Sequence, residues 1–262
     1  MKKLAFFFLL LCAAGAGAQQ RSRVILAVFA HPDDETTVSP VLARYAREGV
    51  KLYLAIATKG EKGTNEHAGI PAGDPLAKAR REEIACACKQ LGIEPPILFE
   101  LNDGELGAIT NPLGRNIQAV ADNVEKLIAK LNPQVVLTWG PDGGYGHPDH
   151  RLVSDAVTQA IQSSATSPKL LYVGLTAEQL KTVNSILPDG IHWHPTDASY
   201  LTVRVPFTEK DQAAYHRSLE CHKSQFTSDQ MQKMEKAFDA ARGGVVSFRP
   251  WFGNWKAEDL FK

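Results

Sequence analysis

Apolar positions along the chain fall into two alternating patterns. After Arg23 the run Val24–Ala30 (VILAVFA) is unbroken, as expected of a central parallel strand covered on both faces. Val41, Leu42 and Tyr45 predict a helix from Pro40 to Glu48, stopped at Gly49, and Val50–Thr58 predicts a second strand. Pro75 and Gly92 bracket a longer helix whose stripe is Leu76, Ala79, Ile84, Ala87 and Leu91. Ile97–Leu101 reads as a third strand, Asn116–Leu131 as a helix, Val135–Trp139 as a fourth strand, and another helix begins near His150. Leu170–Leu175 and Tyr200–Val205 are further strand candidates. The remainder from Thr208 reads as mainly helical, with residues 226–262 forming a mainly helical extension. This βα alternation predicts a single α/β domain of Rossmann-like type: a mainly parallel sheet, helices on both faces, and ligands at the carboxyl ends of the strands.

The first eighteen residues stand outside that pattern. Met1–Ala18 has two lysines, an apolar run too short to span a bilayer, and the small residues Ala16-Gly17-Ala18, which together predict a secretory signal peptide. The mature chain from Gln19 is then expected in the periplasm or outside the cell, with no stable membrane span. Formal net charge is zero, with 29 basic and 29 acidic residues, so nothing provides the basic footprint that nucleic acid selects. An oxidising compartment would allow one disulfide among Cys86, Cys88 and Cys221 without saying which, and all three read as small buried residues.

Candidate chemistry lies at two strand ends. Strand one runs into His31-Pro32-Asp33-Asp34-Glu35 and strand four into the loop that carries His147-Pro148-Asp149-His150. If the two strands are close in the sheet, both loops open on one edge. His31 and Asp34 can then converge on one ion with His150 as a third ligand, the usual donor set of a catalytic zinc. Asp33 and His147 are left free beside it. A helix cap in the first loop and a proline turn in the second are the plain alternatives. Glu35 reads as a partner that orients a ligand or as a helix-start carboxylate. The turn after strand one has no glycine, which excludes a dinucleotide fingerprint. The polar stretches Lys59–Gly73 and Asp142–Gly146 are expected to shape a pocket, with Trp139 and Tyr145 as stacking surfaces or core.

These residues resemble a known family. AHPDDE after the first strand, Arg80-x-x-Glu83 in the second helix, HPDH after a later strand and His222-Lys223-Ser224-Gln225 resemble, in order, the signatures of the PIG-L/LmbE-like zinc N-deacetylases. The resemblance implies Zn2+ on His31, Asp34 and His150, Asp33 as general base, and His147 as electrophilic or general-acid group. It also implies Arg80 and Asp103 as sugar contacts. The substrate it implies is a small N-acetylated amino sugar or glycoside, from which acetate is cleaved. Either Asp33 or a protonated His147 would protonate the departing amine. Another acyl amide as substrate, or a carbohydrate-binding protein without turnover, are the competing readings.

Overall fold

The computed structural model describes residues 22–107, 115–187 and 192–262; the signal peptide expected over Met1–Ala18 lies outside them. Seven strands form one sheet: β1 (Val24–Phe29), β2 (Lys51–Thr58), β3 (Ile97–Leu101), β4 (Val135–Trp139), β5 (Lys169–Val173), β6 (Val203–Pro206) and β7 (Val245–Pro250). Their order is β3-β2-β1-β4-β5-β7-β6. The first five are parallel, and β7 runs antiparallel to both β5 and β6.

Every residue of β1 is buried, and its side chains alternate between two cores. Ile25, Ala27 and Phe29 face the layer that holds α1 (Ser39–Arg47) and α2 (Asp74–Leu91); Leu26 and Val28 face α3 (Arg115–Leu131) and α5 (Pro148–Gln162). An unbroken apolar run is what such double coverage requires. A one-turn α4 (Gly143–Gly146) precedes α5, followed by α6 (Ala177–Ile186), α7 (Glu209–Leu219) and α8 (Ser228–Arg242).

The order reverses between β1 and β4, which are direct neighbours with Ile25 opposite Val135. Their carboxyl ends therefore flank the crevice where α/β sheets bind ligands. The C-terminal segment departs from the sequence expectation. Residues 226–262 are not a helical extension: α8 is followed by β7, which is inserted between β5 and β6. Gly243 ends α8 in the left-handed conformation, with φ 54°, and lets the chain turn directly into that strand.

Candidate active site

The loop after β1 is built around Asp34. Its Oδ2 accepts three N–H bonds, from Ala30 N at 3.0 Å, His31 N at 2.9 Å and the Trp139 indole at 3.0 Å. That leaves Oδ1, which lies 3.2 Å from His150 Nε2. The next residue back, Asp33, carries φ 150°, a backbone conformation that costs a non-glycine residue roughly 1–3 kcal/mol. Thr36 holds it there, donating its N–H and its hydroxyl to the Asp33 carbonyl at 3.1 and 2.7 Å.

His31, Asp34 and His150 converge. His31 Nδ1 is 3.1 Å from His150 Nε2 and 3.8 Å from Asp34 Oδ2. The other nitrogen of each ring is engaged as a donor: His150 Nδ1–H to the Gly143 carbonyl at 3.1 Å, and His31 Nε2–H to Asp103 Oδ1 at 3.1 Å, with Asp149 Oδ2 at 3.4 Å. With those protons on the outer nitrogens, two imidazole lone pairs and a carboxylate oxygen are available to one ion. Ligands about 2.0–2.1 Å from a tetrahedral ion stand roughly 3.3 Å apart, a spacing that the His31–His150 and His150–Asp34 contacts match, and a ring nitrogen of His147 also lies within 4.8 Å of those of His31 and His150, so the cluster could hold a metal ion. His31, Asp34 and His150 are 6%, 7% and 0% exposed, and a buried cluster of this kind calls for a counter-charge. Burial opposes ionisation of Asp34, yet His150 and His31 hold its carboxyl well below the usual range.

Asp103 sits behind this cluster, which alters the role expected of it. It is buried rather than directed at a sugar. Its Oδ1 meets His31, its Oδ2 accepts from Lys62 N at 3.2 Å, and despite burial His31 holds its pKa down at about 2. Asp149, which sequence reading passed over, shares the task, and its Oδ2 also accepts from Gly104 N at 2.7 Å. Burial lowers the proton affinity of His31, but Asp103, Asp149 and Asp34 together raise its pKa well above the ordinary value. The position of Asp149 inside HPDH was the available signal: it precedes His150 in the first turn of α5.

Asp33 and His147 flank the cluster. Burial raises the Asp33 pKa, against the pull of Arg80 and with help from the neighbouring Asp34 charge. Arg80 is 3% exposed and spends its guanidinium on the protein: Nη2 on Asp33 Oδ2 and the Pro32 carbonyl, each at 2.9 Å, and Nη1 on the Gly60 carbonyl at 2.9 Å. The structure therefore places Arg80 as the clamp on Asp33. His147 caps α5, its Nδ1 accepting from Asp149 N at 3.2 Å, so Nε2 carries the proton. Burial, His31 and His150 all lower its pKa. With Nδ1 accepting from Asp149 N, Nε2 is the nitrogen of His147 left free to face the cluster, and the lowered pKa favours its neutral form.

The sequence model of the GlcNAc-PI de-N-acetylase (PIG-L) family matches residues 26–161, which contain all of these loops. The chain belongs to the PIG-L family. A 1D-myo-inositol 2-acetamido-2-deoxy-alpha-D-glucopyranoside deacetylase 2 of Catenulispora acidiphila is 33% identical over 212 residues, covering 73% of this chain and 66% of that protein. A deacetylase of the same name, without the numeral, from Rhodococcus opacus is 36% identical over 161 residues, 55% of each. The chain thus spans less than two thirds of the length of these relatives. The N,N'-diacetylchitobiose deacetylase of Pyrococcus horikoshii has the same fold, with a TM-score of 0.64 at 19% identity over 88% of this chain and 84% of that one. So has the 4-carboxy-2-hydroxymuconate hydratase of Pseudomonas putida KT2440, with a TM-score of 0.58 at 14% identity over 89% and 98%. The fold therefore hosts more than one reaction.

Two further PIG-L motifs brace the site from behind. Glu35 does not touch the ligand cluster. It is fully buried and meets His222 Nε2 at 2.7 Å, tying the first loop to the segment after α7. Glu83, one turn beyond Arg80 on α2, receives Ser224 N at 2.6 Å and Ser224 Oγ at 2.7 Å. Next to these residues Cys86 bonds to Cys221; Cys86 is exposed, not buried as expected, and among the described residues Cys88 remains a free buried thiol. In front of the PIG-L loops lies a cavity of about 310 Å³, bordered by Asp33, Asp34, Tyr145, Trp193, Phe238 and Arg242. Trp139 is a wall only at its edge. It is 1% exposed and stacked on His150, with ring centroids 4.4 Å apart and planes at 7°. Tyr145, 37% exposed, is the aromatic that reaches solvent, and burial together with Asp34 and Asp33 pushes its hydroxyl pKa up, so it remains a donor.

Proposed function

We propose that this PIG-L protein is a zinc-dependent N-deacetylase that hydrolyses the acetamide of an amino-sugar compound. The observation that carries the reading is the position of Asp33: a carboxylate of raised proton affinity beside a three-ligand cluster, at the mouth of a cavity. His31, Asp34 and His150 would hold the ion. Zinc bound there supplies Lewis acidity to the amide carbonyl and to the attacking water.

The chain's own groups do the rest. Asp33 accepts a proton from the water as it attacks the carbonyl carbon, and its raised pKa lets it keep that proton and hand it to the departing amine. Arg80 fixes the carboxylate in one orientation for both transfers. His147, whose Nδ1 is held by Asp149 N, donates through Nε2–H to the developing oxyanion, a contribution of about 2.7–4 kcal/mol in comparable donors. Asp103 and Asp149 keep the His31 proton on Nε2, so Nδ1 stays a ligand.

The relatives named as deacetylases of a glucosaminyl inositol support an N-acetylglucosamine-type substrate. Acetate release from a panel of N-acetylated sugars, with and without a chelator, tests the reaction. Chelator-sensitive release from at least one member is expected. Release of a larger acyl group in its place would transfer the site to another amide, and binding without any release would make the protein a carbohydrate binder.

Export accompanies this reading. The leader-like Met1–Ala18 and the Cys86–Cys221 bond, which suits an oxidising compartment, support a periplasmic or extracellular enzyme. No described helix is long and apolar enough to cross a membrane. Cell fractionation and the N-terminal sequence of the mature protein test it: a cytoplasmic chain that retains Met1 would refute export.

A further inference from the structure

The cavity in front of Asp33 contains a charge that the proposed mechanism does not use. Arg242, the last residue of α8, is 6% exposed and lines that cavity together with Trp193 and Phe238. Its Nη2 donates to the carbonyls of Thr36 and Thr37 at 3.1 and 3.0 Å, but its buried Nη1 has no acceptor. Among the described residues no carboxylate forms an ion pair with it. Asp239, one turn earlier, gives its Oδ2 to His216 at 2.8 Å, and its buried Oδ1, which has no hydrogen-bond partner, offsets part of the Arg242 charge from a distance without pairing with it. The guanidinium lies between Tyr215 and Phe238, 4.9 and 5.0 Å from their ring centroids, which offsets part of the burial cost without neutralising the charge. A second buried donor in the same wall, the Trp193 indole Nε1–H, is also without a partner.

Holding the two threonine carbonyls needs one nitrogen and no net charge. A void of about 10 Å³ behind Trp193 and Arg242 has room for a single water, which could occupy one donor but supplies no anion. A buried unpaired cation and an unpaired N–H on one wall of a substrate cavity call for an anionic ligand that arrives from outside. One guanidinium and one neutral donor match a single negative charge. The nearby acidic groups Asp33 and Asp34 oppose anything more highly charged than a carboxylate.

We propose that Arg242, with Trp193 beside it, forms a carboxylate subsite, and that the substrate is an N-acetylated amino sugar that bears one carboxylate. This rests on the deacetylase reading for the sugar but not for the charge. The aromatic walls stack on the apolar faces of the ring while the guanidinium selects the acid.

The test uses two sugar acids, N-acetylmuramic acid and N-acetylglucosaminuronic acid, each against its own methyl ester, with the zinc-loaded full-length protein. Calorimetric binding is measured first and kcat/KM for acetate release second. The expected result is that at least one acid binds at least about tenfold more tightly than its ester, mainly as a difference in KM when turnover is followed. In Arg242→Gln that ratio falls to near one, Arg242→Lys keeps part of it, and Trp193→Phe lowers it partway. Equal binding of acid and ester by the wild type, or no binding of either acid, overturns the subsite. So does an Arg242→Gln protein that loses acid and ester affinity in equal proportion together with a lower Tm, since Arg242 would then be only a brace for Thr36 and Thr37. Acid-selective binding with no acetate release leaves the subsite standing and refutes the deacetylase reading instead.

Discussion

Trp139→Phe isolates the bond that orients Asp34. The substitution keeps a ring against His150, where the indole now stacks at 4.4 Å, and keeps the edge contact with Phe29 at 5.7 Å. It removes only the indole N–H that reaches Asp34 Oδ2 at 3.0 Å, one of three donors to that oxygen. A hydrogen bond to a buried charged group contributes roughly 1.5–3 kcal/mol. The two backbone donors from Ala30 and His31 remain, so the carboxylate stays in place but turns more freely, and Oδ1 loses its fixed aim at the ligand cluster. Loss of such an outer partner costs about tenfold to a hundredfold in metal affinity, equivalent to roughly 1.4–2.8 kcal/mol. Zinc affinity is measured by competition with a chromophoric chelator, and the Tm of the metal-free protein is measured in parallel to report packing separately. An affinity within twofold of wild type, with a lowered Tm, would refute the reasoning and reduce Trp139 to a core side chain.

Three other outcomes are expected. Asp33→Asn should cut turnover by roughly 10²–10⁴-fold while zinc stoichiometry, read by elemental analysis, stays at the wild-type value; activity near wild type would exclude Asp33 as base. Removing the 135-residue link with Cys86→Ser and Cys221→Ser together should cost about 2–5 kcal/mol in urea unfolding, and an equal response of wild type and variant to reductant would contradict it. Asp211 caps α7 through Thr208 and pairs with Arg47 at 2.9 Å; burial opposes its charge, but these partners hold its pKa below the ordinary value. Its stabilisation is therefore present above about pH 4 and is lost as pH falls through the depressed pKa. Asp211→Asn should accordingly cost roughly 2 kcal/mol at pH 7 and much less at pH 3, with a gap that does not shrink in acid as the contrary result.

The features legible in the sequence were those set by local rules. An apolar run of β1 type has one stable placement, and the His-Pro-Asp stretch directly after it opens at the carboxyl edge of the sheet, as does the loop after β4 that leads to the second one. Asp34, His31 and His150 could be grouped on that ground once β1 and β4 were taken as close in the sheet. The contact of Asp103 with His31 could not be foreseen, because no His-Asp motif marks the end of β3 and only the tertiary fold turns Asp103 inward. The same is true of Cys86 with Cys221 and of Glu35 with His222, pairs separated by well over a hundred residues. β7 was illegible for a different reason. Val245–Pro250 is short and carries Ser247 and Arg249, and its strand character comes from two antiparallel neighbours rather than from its own pattern. On α8 the spacing of Gln230, Met234, Phe238 and Arg242 does mark one face, but only the structure shows that this face looks into the cavity.

The insertion of β7 imposes an order of assembly on the nascent chain. Both loops proposed to hold the metal and the five parallel strands are complete once Val173 has been made, yet β5 then presents an open edge. The strand that closes it is separated from it by roughly 70 residues, several seconds of synthesis at about 5–20 residues per second. β6 has no neighbour until the same strand arrives, and α8, which walls the cavity, is made immediately before it. The ligand set is thus encoded early and the pocket wall late, with an unpaired strand edge exposed in between. Chains cut short before Ser228 would carry every proposed metal ligand, have no finished pocket, and be prone to pair through that edge with their own kind.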